Sequence, residues 1–80
     1  MTWRVQSFDP TGARHELRYF RGENADLNAM KYLRRQLKRY ERDGWIFDEG
    51  VIVDYDLTLR AFMHDADGLE REFEAEQVNP

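Results

Sequence analysis

The side chains that could do chemistry in this 80-residue sequence are carboxylates, arginines, lysines and two histidines. His15 and His64 have no second histidine or cysteine at the spacing of a metal site, and zinc needs three or four ligands. The chain has no cysteine, which excludes a disulfide, a zinc–thiolate site and a thiol nucleophile. We therefore expect neither a metal nor a cofactor.

A pair of aspartates raises the question of acid–base catalysis. Asp54 and Asp56 share one face if they lie in a strand, at a spacing of ~7 Å, and such a pair could hold a cation or hydrolyse a glycoside. Charged residues of a small sheet usually face solvent, however, and no cleft is indicated. The glycines are scattered, so a phosphate-binding loop is absent, and Ser7 lacks a nucleophile elbow. We expect a protein that is not an enzyme.

Four glutamates occupy every second position near the end of the sequence, and two aspartates extend the series. A strand would align the glutamates in one row at ~6.8 Å intervals, close to the spacing of successive phosphates in a nucleic-acid strand. The row could serve solubility and protect an edge strand. It could also dock on a groove of arginines and lysines that normally holds nucleic acid in a partner protein. The residues are Asp54, Asp56, Glu70, Glu72, Glu74 and Glu76.

A basic stripe is the second charged feature, and it falls on a predicted helix. Rotation by ~100° per residue separates it from the apolar stripe of the same helix. It could follow a phosphate backbone, with Tyr32 stacking beside it, or it could be a solvated face that is paired with acidic neighbours. The residues are Lys31, Arg34, Arg35, Lys38, Arg39 and Arg42. The net charge is distributed unevenly along the sequence: residues 1–42 carry +5 and residues 43–80 carry −9.

The first element that the pattern predicts is a β-hairpin. Apolar and polar residues alternate before the sequence Asp-Pro-Thr-Gly, which is typical of a type I turn followed by a left-handed glycine. With 10–12 as the loop, Val5 faces Leu17 and Trp3 faces Tyr19.

A helix is predicted over residues 24–43. Asn24 or Asp26 can cap its start, and Gly44 follows a basic last turn as a left-handed stop. Its apolar stripe recurs at steps of three or four and comprises Leu27, Met30, Leu33, Leu37 and Tyr40.

Alternation over residues 51–64 predicts one long strand, and the turn at 65–68 predicts a second hairpin. The register then places Ala61 opposite Phe73 and Arg60 opposite Glu74. A helix is the alternative for residues 69–78, but we favour a strand because the preceding turn needs a partner.

These elements predict an α+β fold in a single domain, residues 1–80: one antiparallel sheet of two hairpins with one amphipathic helix packed on one face, in the order ββαββ. The strand order is left open. No apolar run is long enough for a membrane span, and we expect a cytoplasmic location. The expected core is Trp3, Val5, Leu17, Tyr19, Met30, Leu33, Leu37, Val53, Tyr55, Leu57, Leu59 and Phe73.

Small size, net acidity, absent cysteine, a single sheet-plus-helix layer and the carboxylate row together resemble many phage-encoded anti-CRISPR proteins. The resemblance implies a protein inhibitor whose acidic sheet face docks on a basic nucleic-acid-binding surface of a CRISPR surveillance complex and blocks it, in the host cytoplasm. The junction from the helix through Gly44 and Trp45 is also similar to that of small ββαβ domains of unknown function. The alternatives are a nucleic-acid-binding module that uses the basic helix, and a homo-oligomer in which basic and acidic faces meet.

Overall fold

The chain folds into one antiparallel sheet and one helix in a computed structural model that describes residues 1–48, 52–54 and 58–78, which confirms the α+β class. The elements, in chain order, are β1 (Thr2–Phe8), β2 (Arg14–Arg21), α1 (Ala25–Arg42), β3 (Ile46–Phe47), β4 (Ile52–Asp54), β5 (Thr58–His64) and β6 (Glu70–Gln77).

The strand order is β2-β1-β6-β5-β3, and the short β4 also pairs with β5. The first and last strands are therefore neighbours at the centre of the sheet. The predicted order ββαββ is wrong in two respects. An additional short strand, β3, follows the helix and pairs with β5, and residues 51–64 do not form one strand. Asp54 pairs with Thr58 across an antiparallel ladder, so β4 and β5 run in opposite directions. An alternation of period two continues through such a reversal and therefore does not reveal it.

The first hairpin has the predicted turn but only part of the predicted register. Gly12 adopts a φ of 87°, and its amide donates to the Asp9 carbonyl at 2.8 Å. A register shift between Val5 and Gln6 then moves β2 by one residue. Val5 consequently faces Arg18 rather than Leu17, and Trp3 faces Phe20 rather than Tyr19. Tyr19 is 45% exposed instead of belonging to the core. The shift is a β-bulge, which turns every later side chain of the strand to the other face.

The helix lies within one residue of its predicted limits, and its C-terminus is fixed by hydrogen bonds of the Schellman type. The Trp45 amide donates to the Tyr40 carbonyl at 3.0 Å, and the Gly44 amide donates to the Glu41 carbonyl at 3.1 Å. Gly44 has a φ of 97° and thus supplies the left-handed residue. The Tyr40 and Trp45 rings meet edge to face, which closes the motif with an apolar contact. Asn24 precedes the helix but makes no side-chain capping bond.

The second hairpin has the predicted register over its whole length. Ala61 faces Phe73, Arg60 faces Glu74 and His64 faces Glu70. Residues 70–77 are therefore a strand and not the alternative helix.

The core lies between α1 and one face of the sheet. Ala25 and Ala29 are fully buried, and their small side chains let the helix approach the sheet closely. Leu27, which the sequence places in the apolar stripe, is instead 53% exposed. Leu17 and Met30 are only partly buried. Val53, Tyr55, Leu57 and Leu59 of the predicted core lie outside the part of the chain whose side chains are described. The buried apolar residues are Trp3, Val5, Ala25, Ala29, Leu33, Leu37, Ala61, Met63, Phe73 and Ala75.

No helix in the described part of the chain is both long enough and apolar enough to cross a membrane.

Candidate functional site

The basic stripe of α1 is the outermost ridge of the helix layer. Leu33 and Leu37 are buried against the sheet, and at ~100° per residue the cations project from the opposite side of the helix. All six cations are exposed, as the sequence predicts: Lys31, Arg34, Arg35, Lys38, Arg39 and Arg42. We call this set the basic ridge.

The cations of the basic ridge have no acidic partners among the residues that the structure describes. Among the described residues, the ion pairs of Lys and Arg belong to Arg4, Arg14 and Arg60, and no member of the basic ridge takes part in one. Glu41 lies at the border of the ridge on the same helix, but it too forms no ion pair within the described chain. The ridge therefore presents its full charge to solvent.

Like charges crowd one another along this ridge. Pairs such as Lys31 and Arg35, or Lys38 and Arg42, are four residues apart and therefore adjacent on the helix surface. Each such pair destabilises a helix by about 0.2–0.5 kcal/mol. The buried face of α1 offsets this repulsion, and an anion that binds the ridge would relieve it.

Two shallow depressions lie between the basic side chains. One is lined by Lys31, Arg34, Arg35 and Lys38, and the other by Arg35, Lys38, Arg39 and Arg42. An anionic group that sits in either depression meets several cations at once. The charge of these depressions suits an anionic group such as a phosphate or a carboxylate.

The acidic row lies on the other face of the sheet and is largely engaged within the molecule. Glu76 forms an ion pair with Arg4 of the neighbouring strand. Gln6 Nε2 donates to Glu74 Oε1 at 2.9 Å. Arg60 Nε lies 3.4 Å from Glu74 Oε2 and 3.8 Å from Glu72 Oε1. Three of the four glutamates thus have partners from β1 or β5.

The members of this row differ in exposure. Glu70 is exposed, Glu72 and Glu76 are half-buried, and Glu74 is only 8% exposed. Burial raises the pKa of Glu74, and the bond from Gln6 opposes that rise. Asp54 lies in β4, but its side chain is not described, and Asp56 lies outside the described residues. The row is therefore confirmed as a geometric feature for the four glutamates of β6 alone.

Both histidines pair with an aspartate rather than with a metal ligand set. His15 Nε2 lies 2.8 Å from Asp9 Oδ2, and His64 Nδ1 bonds to Asp48. The His15 ring, the Thr11 hydroxyl and the backbone amides of the first turn lower the pKa of Asp9 well below its usual range. Within the described chain, no three acidic or histidine side chains come together as a metal site.

Two arginines stack on aromatic rings beside the helix, and the sequence does not predict either contact. The Arg18 guanidinium lies 5.2 Å from the Phe20 ring centre and 5.7 Å from that of Tyr32. Arg71 stacks similarly over Tyr40 and Trp45. Tyr32, whose stacking was one of the two interpretations of the basic stripe, is half-buried beside Phe20 and Arg18. Only the three-dimensional arrangement of strands and helix brings these residues together.

Comparison of the chain with protein-family models, curated proteins and solved structures found no match.

Proposed function

We propose that the protein is a binding module that holds a nucleic acid on the basic ridge of α1. The observation that carries the proposal is the set of six exposed cations without an acidic partner in the described chain. A nucleic-acid backbone suits such a ridge because each phosphate that a Lys or Arg neutralises releases condensed counterions.

The net charge of −4 does not oppose this proposal at physiological salt. Charges separated by more than the Debye length of ~8 Å are largely screened. The two shorter dimensions of the molecule are 21 and 22 Å, and the glutamates of β6 lie on the sheet face that points away from α1. A phosphate on the ridge therefore interacts mainly with the ridge.

The proposal is tested by reversing charges on the ridge. We expect Arg35→Glu with Lys38→Glu to weaken binding of a fluorescent 20-base-pair DNA duplex by at least tenfold in anisotropy measurements at 100 mM salt, since two cations that attract the DNA become anions that it repels. For the native chain, log K should fall against log [salt] with a slope no steeper than about −5, which is ~0.9 for each phosphate that one of the six cations neutralises.

A matched control keeps the change in net charge the same. Arg14→Glu with Arg21→Glu removes two exposed arginines from β2, and both lie on the sheet face away from the helix. This variant should bind DNA within about twofold of the native protein. Equal losses in the two variants, or no DNA binding by the native chain at micromolar concentrations, would contradict the proposal.

The second candidate function is inhibition of a CRISPR surveillance complex by the acidic sheet face. It is supported by the glutamates of β6 lying on one face, with Glu70 exposed. The internal partners of Glu72, Glu74 and Glu76 weaken it, because docking would have to break those contacts. Charge reversal of Glu70 and Glu72 to Lys, followed by a pull-down of Cas proteins, discriminates this candidate: it requires a loss of capture that the variant of the basic ridge does not show.

A further inference from the structure

We propose that the basic ridge binds in the major groove of B-form DNA, and that Arg34 and Arg39, on the two sides of the ridge, contact the phosphates of opposite strands. This inference rests on the proposed function and names the form of nucleic acid that the ridge accepts.

The first argument is the angular arrangement of the cations. At ~100° per residue, Lys31, Arg35, Lys38 and Arg42 fall within a sector of about 60° and form a nearly straight row along the helix. Arg34 lies about 70° to one side of that row and Arg39 about 70° to the other side. The ridge thus has a central line and two flanks.

These directions match a groove with two charged walls. The major groove of B-form DNA is about 12 Å wide and admits an α-helix, whose diameter with side chains is about 10–12 Å. With the central row directed at the groove floor, Arg34 and Arg39 point towards the phosphates of opposite strands. The row spans about 16 Å along the axis, which is enough to follow several base pairs.

The second argument concerns single strands. Proteins that bind them combine a basic groove with aromatic side chains on which bases stack. The ridge is convex, and the two aromatic residues that border it are half-buried. Tyr32 packs 5.6 Å from the Phe20 ring under the Arg18 guanidinium, and Phe47 lies in a depression beside Arg34 and Lys38. The exposed aromatic residue of the described chain is Tyr19, which lies on the opposite face of the sheet beside Arg4. Among the described residues, the ridge therefore offers no exposed aromatic side chain on which a base could stack.

The third argument separates DNA from RNA duplexes. The major groove of A-form RNA is deep and narrow, and protein side chains do not read it. A helix that remains packed on a sheet cannot enter such a groove. Because Ala25, Ala29, Leu33 and Leu37 are buried against the sheet, α1 can bind only through its outer side.

The form of nucleic acid is tested by comparing three probes of one sequence: a 20-base-pair DNA duplex, its single strand and the corresponding RNA duplex. We expect the DNA duplex to bind at least ~10-fold more tightly than the other two. Methyl green, which occupies the major groove, should displace the protein, whereas distamycin, which occupies the minor groove, should not.

Each outcome of this experiment decides one of the two proposals. Equal binding of the single strand or the RNA duplex, or displacement by distamycin alone, would overturn the groove assignment and leave the proposed function standing. Failure of all three probes to bind would instead overturn the proposed function.

The two-wall geometry is tested with Arg34→Gln and Arg39→Gln, singly and together. Each change should reduce the magnitude of the salt slope on duplex DNA by about 1, and the double variant by about 2. Arg21→Gln, an exposed arginine on the other face of the sheet, is the matched control and should leave the slope unchanged. If only one of the two flanking arginines changed the slope, the ridge would lie along a single strand and the assignment would be wrong.

Discussion

At the scale of single residues, the partners of the charged side chains decide which surface is available. Arg4 and Glu76 are separated by 72 positions in the sequence and meet because β1 pairs with β6. The even spacing of the glutamates predicts that they share a face, and it does so correctly. The contact of Arg60 with Glu74 follows from the predicted register of the second hairpin. The contact of Arg4 with Glu76 depends on the strand order and could not be predicted from local patterns.

Glu74 illustrates the cost of a carboxylate on a crowded sheet face. Its pKa is raised from 4.5 by burial, so the protonated form is the one that the fold favours. The raised pKa means that protonated Glu74 favours the folded chain over the unfolded chain. This contribution to the free energy of unfolding is fully present below the unfolded-state pKa of Glu74 and is lost as the pH rises through its folded-state pKa. On the same sheet face, the buried Gln6 Oε1 accepts no hydrogen bond.

We expect Glu74→Gln to raise the thermal midpoint at pH 7 by a few degrees, because the amide needs no charge desolvation and can donate to Gln6 Oε1. The gain should shrink as the pH falls to 4, where the native carboxyl is itself protonated. Circular dichroism melts at both pH values measure this. Glu70→Gln, at an exposed site of the same strand, serves as the control. A lower midpoint at pH 7 would show that the contact with Arg60 outweighs desolvation.

At the scale of elements, turn chemistry predicts more than periodicity does. In both hairpins an aspartate side chain accepts hydrogen bonds from backbone amides of the turn, which sets the pairing of the strands next to the turn. The predicted register of the second hairpin is confirmed over its whole length. The bulge next to Val5 is invisible in the alternation, and it moves Tyr19 from the core to the open face. The change of direction from β4 to β5 is hidden for the same reason.

The left-handed end of α1 allows a quantitative prediction. Gly44→Ala places a β-carbon on a residue with a φ of 97°, although no atom lies within 4 Å of the new group. We therefore expect a loss of about 1 kcal/mol in the free energy of unfolding that comes from the backbone alone. Urea denaturation measures it. A D-alanine at position 44, introduced by chemical synthesis, favours positive φ and should restore the native value; failure to do so would assign the loss to another cause.

At the scale of the whole molecule, the charges are divided between two surfaces. The basic ridge carries +6 on a protein of net charge −4, while the glutamates of β6 point away from it. Such a division could drive copies to stack head to tail, with the ridge of one on the sheet face of the next. The internal partners of Glu72, Glu74 and Glu76 argue against that arrangement.

Light scattering at low and high salt tests the division of charge. We expect a mass of 9.7 kDa at both 20 and 300 mM salt (~22 and ~6 Å Debye lengths), because the sheet face has little unpaired charge to offer a second ridge. A mass that rises as the salt is lowered would favour the homo-oligomer instead.

The pairing of β1 with β6 has a consequence for synthesis on the ribosome. Trp3 and Val5 leave the ribosome 70 residues before Phe73 and Ala75, which lie in the strand that completes their side of the sheet. A nascent chain can form the first hairpin and α1, but it exposes this apolar surface until those residues leave the exit tunnel. Chaperones that recognise apolar segments therefore have a long interval in which to engage it.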